Sequence, residues 1–365
     1  MNARPKPLKP GQTIGILGAG QLGRMLAVAA AQLGYRVHSF APENQPPAAQ
    51  LTNSHTAASF KDHIALQTFA QACDVITYEF ENIPVSALEV IAGLKPIYPG
   101  VNCLEIAQDR LLEKDFLTGI GVPCAPYQAV STFAELQAAI DKISMPAVLK
   151  TRRFGYDGKG QSFIRTKDDV KEAWAALASA PGGLILEGFV AFEKEVSVLI
   201  ARGQNGTANA YGPIWNEHSN HILHVSQVPP DIAPDCADRA ISNALNVAEA
   251  LNAIGVICVE FFVMPVGDVV ANEIAPRVHN SGHWTIEGAV TSQFENHIRA
   301  ITGQPLGNTD AIGAVRMQNL IGNEIDGIPN LLASAKAHVH HYGKPEARVG
   351  RKMGHVTWVT PQTKS

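Results

Sequence analysis

A turn narrows the possible folds more than any other feature of this chain. An apolar run, Thr13–Leu17, ends in Gly18-Ala19-Gly20-Gln21-Leu22-Gly23. An Ala/Leu-rich helical pattern follows from Leu22 to Leu33, with Gly34 where helices commonly stop. A strand that ends in glycines and reopens as a helix is the entry to a parallel β-α-β unit. Tyr35–Phe40 reads as the second strand, and Val75–Thr77 and Pro96–Tyr98 as two more, each beside a helical stretch. This alternation predicts a parallel, Rossmann-like α/β domain at the N-terminal end.

Three readings of the turn are open. Its glycines and helix N-terminus suit a dinucleotide pyrophosphate, with Glu43 near the distance of a ribose-binding acid, although Pro42, Pro46 and Pro47 put it in a loop. They suit the phosphate of another ligand equally well. The third reading is a tight turn with close helix packing and no ligand.

At 365 residues the chain exceeds the ~250–300 at which a single core stops growing, so more than one domain is expected. Hydrophobic residues at 46% against 17% charged exclude global disorder. A net charge of −4 offers no field for coating nucleic acid. Gly18, Gly20, Gln21, Gly23 and Arg24 interrupt the N-terminal apolar stretch, and Ile254–Val266 is too short to span a bilayer and contains Glu260. No membrane association and a cytoplasmic location are expected. The five cysteines are scattered without a C-x-x-C pair, which suggests neither a disulfide framework nor a zinc site.

A helix is predicted from about Leu104 to Leu117, then a Gly/Pro hinge at Gly119–Pro126. Beyond it the pattern changes to antiparallel α+β: strand Ala147–Lys150, a glycine turn at Gly155–Gly160, strand Gln161–Arg165, helix Asp168–Ala178, and strands Leu184–Glu187 and Glu195–Ala201. Val256–Met264 and Val269–Ile274 flank Pro265-Val266-Gly267-Asp268, a hairpin signal.

Chemistry concentrates in this second part. Lys150 leads into Phe154-Gly155-Tyr156-Asp157-Gly158-Lys159-Gly160-Gln161, a turn whose N–H groups suit folding over phosphates. It is no Walker A loop, since no Gly-Lys-Ser/Thr opens a helix, and a solvated hairpin turn is the plain alternative. Glu187-Gly188-Phe189-Val190 and Glu195 offer carboxylates and backbone around an apolar slot suited to adenine and ribose. Glu260 and Glu273 stand on two apolar strands, where a carboxylate is costly unless paired or bound to a cation; together they fit a magnesium site. Arg277, His279, Asn280 and Ser281 supply donors for a small planar anion. Zinc on His279 and His283 is the rival, disfavoured because Pro276 and Gly282 oppose a helix there.

With these residues in view, the chain resembles the ATP-grasp superfamily, and within it the ligases that carboxylate aminoimidazole ribonucleotide in purine biosynthesis. The resemblance covers essentially the whole chain and is carried by GAGQLGRM at Gly18–Met25, Gln108-Asp109-Arg110, GYDGKGQ at Gly155–Gln161, NEIAPRVHNSGH at Asn272–His283 and GRKMGH at Gly350–His355. It implies a Rossmann-like pre-ATP-grasp domain over residues 1–105, a two-part ATP-grasp domain over 106–300 and a small β-rich C-terminal segment over 301–365. It further implies ATP and Mg2+ as cofactors, aminoimidazole ribonucleotide and bicarbonate as substrates, and a homodimer.

Residue by residue, the resemblance puts Arg110 and Lys150 on the ATP phosphates under a lid formed by Gly155, Tyr156, Asp157, Gly158, Lys159, Gly160 and Gln161. Glu187, Gly188, Phe189 and Val190 read adenine and Glu195 the ribose, with His218 and Asn272 lining the same site. Glu260 and Glu273 bind magnesium. Arg277, His279, Asn280 and Ser281 surround bicarbonate. Gly20, Gln21, Leu22, Tyr156, Asp157 and one of Glu79 or Glu81 approach the ribonucleotide, whose phosphate Lys344 and Arg351 hold. Strand alternation predicts that Glu79 and Glu81 share a face. By the same analogy Asp157, Lys150 and Arg277 are the catalytic residues, Asp157 as proton acceptor. A dehydrogenase built on the first turn, another ATP-grasp ligase and a non-catalytic ATP-binding protein are the rival readings.

Overall fold

The computed structural model describes residues 6–155 and 158–361. The first layer is a four-stranded parallel sheet of β1 (Thr13–Leu17), β2 (Arg36–Ala41), β3 (Ser54–Ala57) and β4 (Val75–Tyr78), in the order β3-β2-β1-β4. The chain runs outward from β1 to β3 and then returns to the other side of β1. The gap between the carboxyl ends of β1 and β4 is therefore the topological switch point, where open α/β sheets bind ligands. Helix α1 (Gln21–Gln32) starts from it, and Gly34, in the left-handed region at φ +80°, ends the turn behind it.

Two sequence expectations need correction here. Pro96–Tyr98 makes only a single parallel bridge, Ile76 to Ile97, because Pro96 and Pro99 have no N–H to extend a ladder. The single helix expected over 104–117 is two, Val101–Ala107 and Arg110–Gly119, broken at Asp109. The Asp109 carboxylate caps the second helix by accepting from Leu111 N–H, and Arg152 grips it with two bonds of 2.9 and 2.7 Å. The break serves to aim Arg110.

A small antiparallel sheet follows, made of β5 (Tyr127–Val130), β6 (Ala147–Thr151), β7 (Gln161–Ile164) and β8 (Leu184–Gly188), in the order β5-β8-β6-β7. The large sheet has eight antiparallel strands. It contains β9 (Lys194–Arg202), β10 (Ala208–Ser219), β11 (Ile222–Val228), β12 (Gly255–Val263), β13 (Val269–Ala275), β14 (Gly313–Ile321), β15 (Ala337–His341) and β16 (Lys352–Pro361). Their order is β13-β12-β9-β10-β11-β14-β16-β15. The C-terminal strands thus do more than pack against the middle of the chain: they continue its sheet. One apolar core joins Ile14, Leu26 and Val37 of the first layer to Leu199, Val256, Phe294 and Met317. The first Gly-rich turn is thereby fixed relative to the large sheet. All five cysteines are free thiols.

Candidate active site

A cavity of about 950 Å3 lies between the small and large sheets. Lys150, on β6, enters it and pairs with Glu187 of the neighbouring β8 at 2.8 Å. Burial pulls the Lys150 ammonium below its ordinary pKa despite that partner. Arg110 reaches in from its helix start and meets Glu273 at 3.6 Å. Gly188, Phe189 and Val190 line one wall. Glu195 lines another, ion-paired with His218. Burial tends to lower His218, but the Glu195 hydrogen bond and charge leave it raised.

Glu260 and Glu273 are register partners on β12 and β13. The register shifts just beyond them, so that Phe261 faces Ala271 and Asn272 is an extra residue. This bulge lets consecutive residues, Asn272 and Glu273, both line the cavity, which a regular strand would forbid. Burial and the charge of Glu260 push Glu273 above the ordinary carboxylate range. Burial pushes Glu260 up too, but the hydrogen bond from His279, with the charges of His218 and Lys352, holds it down at about 2. Because β13 is a sheet edge, its outer backbone needs partners. Glu113 accepts from Ile274 N–H at 2.5 Å, and Lys114 Nζ donates to Asn272 O at 2.8 Å. Burial raises Glu113 to about 8.

Arg277, His279 and Asn280 line the same cavity. Arg277 is paired with Glu81 at 2.5 Å, and His279 Nε2 lies 3.1 Å from Glu260. Ser281 differs: it is fully buried behind His279 and bonds to His279 Nδ1 and to Ser197. His283 is also wholly buried and held well below its ordinary pKa by burial. Residues Asn280–Gly282 form one turn of 3-10 helix, so His279 and His283 do not share an α-helical face.

The lid residues Gly155, Gly158, Lys159 and Gln161 border the cavity. Gly160 packs against Thr151, and its carbonyl accepts from Thr151 N–H. Tyr156 and Asp157 lie outside the described residues. Asn220 and His221, both at positive φ, make the turn between β10 and β11, and His221 lies against Gly158.

Glu79 and Glu81 do not share a face. β4 ends at Tyr78, and beyond it the chain turns, so strand alternation no longer applies. Glu81 goes to Arg277, whereas Glu79 lies at the switch point and accepts from Gly20 N–H at 2.8 Å and Gly23 N–H at 3.2 Å. Burial pushes Glu79 up to about 7, in spite of those donors. The first turn's amides thus already hold a carboxylate, which argues against a pyrophosphate there. Gln21 is half-buried and Leu22 buried at this corner. Lys344 feels the charge of both Glu79 and Arg351 and is lowered by burial to about 8; its Nζ donates to Lys352 O at 2.6 Å. The structure therefore groups Gly20, Glu79, Lys344 and Arg351 beside the large cavity, which they border through Arg277 and Lys352 without lining it themselves.

Sequence reasoning gave no role to Glu113, Lys114, Phe192, Phe262, His221 or Lys352. Phe192 and Phe262 stack at 4.5 Å in the cavity wall. The usable signal was the adjacent pair Glu113-Lys114 on a helix face that has to be buried.

Two antiparallel sheets that enclose a cavity carrying opposed carboxylates and a lysine, attached to a Rossmann-like domain, have the arrangement of an ATP-grasp ligase. Three family models agree: a ribonucleotide synthetase preATP-grasp domain matches residues 11–108, an ATP-grasp domain 115–294, and a phosphoribosylaminoimidazole carboxylase C-terminal domain 316–365. The chain is 48% identical to the N5-carboxyaminoimidazole ribonucleotide synthase of Brucella melitensis over 98% of each chain. It is 42% identical to that of Bacillus subtilis, over 96% of this chain and 92% of the other. Among solved structures, an ADP complex of N5-carboxyaminoimidazole ribonucleotide synthetase matches with a TM-score of 0.93 at 41% identity, over 97% of this chain and 94% of that one. The Aspergillus clavatus enzyme in complex with ADP and aminoimidazole ribonucleotide matches at 0.90 and 30%, over 96% and 94%. The chain belongs to the N5-carboxyaminoimidazole ribonucleotide synthase family.

Proposed function

We propose how this chain performs its family's reaction, the ATP-dependent carboxylation of aminoimidazole ribonucleotide in purine biosynthesis. The observation that carries the assignment is one cavity in which Lys150, Arg110 and the opposed Glu260 and Glu273 face Arg277 and His279. ATP takes the large cavity. Its adenine lies along Glu187–Val190, its ribose at Glu195 and His218, and its phosphates at Arg110, Lys150 and the lid amides.

Glu260 and Glu273 fit a magnesium ion, because two buried carboxylates in register repel one another, as the raised Glu273 records, and a divalent cation relieves that repulsion. The ion, when bound, shields phosphate charge and acts as a Lewis acid. Arg277 and His279 hold bicarbonate. A bicarbonate oxygen attacks the γ-phosphorus, the bond to ADP breaks, and carboxyphosphate forms, with Lys150 and the lid stabilising the charge that develops. The exocyclic amine of the ribonucleotide then forms the new C–N bond, either as phosphate leaves carboxyphosphate or with carbon dioxide released from it in the closed site, and Asp157 takes the amine proton. The ribonucleotide approaches Gly20, Gln21 and Leu22 at the switch point, beside one of Glu79 or Glu81, with Lys344 and Arg351 on its phosphate.

Family resemblance supports a homodimer, which sedimentation of the purified enzyme tests. No helix among the described residues is long and apolar enough to cross a membrane. The reaction is tested by ADP release from Mg-ATP with and without ribonucleotide and bicarbonate. Strong stimulation by the ribonucleotide, with an acid-labile carboxylated product, is expected. Release indifferent to the ribonucleotide would reject the switch-point corner as its site. Asp157→Asn is expected to abolish product with ATP affinity kept; unchanged carboxylation would remove Asp157 from the mechanism.

A further inference from the structure

Behind the cavity wall runs a line of buried polar groups that the mechanism does not use. Ser226 on β11, Asn216 on β10 and Ser197 on β9 follow one another across the large sheet, each almost wholly buried. Ser226 Oγ is 2.8 Å from Asn216 Oδ1, and Asn216 Nδ2 is 2.8 Å from Ser197 Oγ. Ser197 Oγ lies 2.7 Å from Ser281 Oγ, which lies 2.9 Å from His279 Nδ1. The other ring nitrogen, Nε2, faces Glu260 Oε1 at 3.1 Å. Ser197 is also the register partner of Glu260 on β12, so the line leaves the sheet at Ser197 and returns to it beside the same strand pair.

The direction of every proton in this line follows from one fixed donor. The backbone N–H of Ser281 points at His279 Nδ1 at 3.3 Å, and a peptide N–H can only donate. Nδ1 therefore carries no proton and accepts, so the Ser281 hydroxyl donates to it as well. With that hydrogen used, Ser197 has to donate to Ser281. Ser197 then needs a donor behind it, which turns the NH2 side of Asn216 toward it. The Asn216 oxygen is left to accept from Ser226. His279 is consequently the Nε2–H tautomer, with its one N–H aimed at Glu260 and the cavity.

We propose that Ser197, Asn216 and Ser226 are positioning residues that set the tautomer of His279 and so make it a hydrogen-bond donor, not a base, at the cavity. The assignment rests on the reading above in which His279 and Glu260 stand at the anion and metal positions. A carboxylate in such a place needs an outer donor to orient it, and His279 supplies it only while Nδ1 is held bare. The same N–H gives a bound carboxyl anion a neutral donor beside the Arg277 guanidinium. Two hydroxyls and an amide in a β-sheet core would otherwise be an unhelpful use of buried polar groups, since apolar residues of the same shape would fold as well.

The test is a long-range proton–nitrogen correlation spectrum of the full enzyme labelled with 15N-histidine, with the His279 signals assigned by their loss in His279→Gln. A bare Nδ1 and a protonated Nε2 are expected in the unaltered protein. A protonated Nδ1 there would overturn the proposal without any variant. Asn216→Leu keeps size and shape, brings no charge and cannot donate, so Ser197 turns its hydrogen back and the Ser281–His279 link loses its order. The Nε2–H state is then expected to give way in the spectrum. In the same variant kcat for carboxylation is expected to fall about 10- to 100-fold, as when the hydrogen-bonded support of a ligating group is disturbed. ADP binding should persist, which also shows that the variant folds. An unaltered spectrum with unaltered kcat would refute the line's role. The tautomer is read without turnover, so a failure of the proposed reaction shows in product formation and a failure of this inference in the spectrum.

Discussion

Two glycine-rich turns of this chain look alike in sequence and do opposite things in the structure. Gly18–Gly23 joins a strand to a helix, and its amides are taken up by the buried Glu79. Gly155–Gly160 joins two strands at the rim of an open cavity. A Cβ added at Gly18 would come within 2.7 Å of the Glu79 side chain, so the first turn is packed on its own protein. One at Gly158 would come within 2.9 Å of His221, a ring at the tip of a hairpin. A glycine turn is therefore an anion site only where the fold leaves its N–H groups unclaimed, and the residue that claims them can be far away in sequence.

The contrast is broken most strongly at the lysine beside the second turn. Lys150→Met removes the cation over the cavity and leaves Glu187 buried without its partner. ADP release is expected to fall by about 10²- to 10³-fold, the usual scale for a lost electrostatic stabiliser, with ribonucleotide binding unchanged. Equal loss of ribonucleotide binding in a calorimetric titration would mean that the nucleotide cavity and the switch-point corner do not bind independently.

Next come paired alanine substitutions in the turns. Gly18 has φ +91° and Gly160 φ +71°, conformations that cost a non-glycine residue about 1–3 kcal/mol when steric crowding is added. At Gly160 the added methyl meets Thr151 Oγ1 at 2.6 Å, within the lid, and the cost is expected as a fall of about tenfold or more in kcat/KM for ATP, since ~1.4 kcal/mol is a factor of ten. At Gly18 the same cost is expected in the melting temperature. If Gly18→Ala instead impaired ATP use with no change in melting, the first turn would be coupled to the nucleotide after all.

Much of this was legible before any coordinates. The β-α-β opening, the lid between two strands and the opposed Glu260 and Glu273 follow from glycine placement and from carboxylates set in apolar strands. The rest depended on contacts distant in sequence. Asp109 breaks a helix that periodicity alone would continue, because Arg152 holds its carboxylate. Glu79 and Glu81 part company because β4 stops at Tyr78, and strand alternation says nothing past a strand end. The bulge at Asn272, which turns two consecutive side chains into one cavity, has no local sequence mark. Strands β10, β11 and β14–β16 carry enough polar residues, Asn216, Ser226 and Asn319 among them, to blur their alternation. Those same residues are buried and hydrogen-bonded in the fold.

The smallest expected effect belongs to the switch-point corner and is a matter of pH. Burial lowers Lys344 from 10.5 to about 8, with Arg351 adding to the shift and Glu79 opposing it. If Lys344 holds the ribonucleotide phosphate as a cation, kcat/KM for the ribonucleotide falls as pH rises through about 8, by roughly tenfold for each unit beyond it. Lys344 does not line the nucleotide cavity, so replacing it should leave the pH profile of kcat/KM for ATP as it was. A bound phosphate favours the charged amine, which keeps kcat itself flatter than kcat/KM. Stability moves the other way. Between about 8 and 10.5 the unfolded chain keeps a proton that the folded chain has lost, so this group's contribution to stability rises with pH across that window. Activity toward one substrate that declines while the contribution to folding improves is a signature that general alkaline denaturation cannot imitate. Lys344→Arg, charged throughout this range, is expected to remove the step near pH 8; a step that survives it would assign the titration to another group and leave the ribonucleotide phosphate without Lys344.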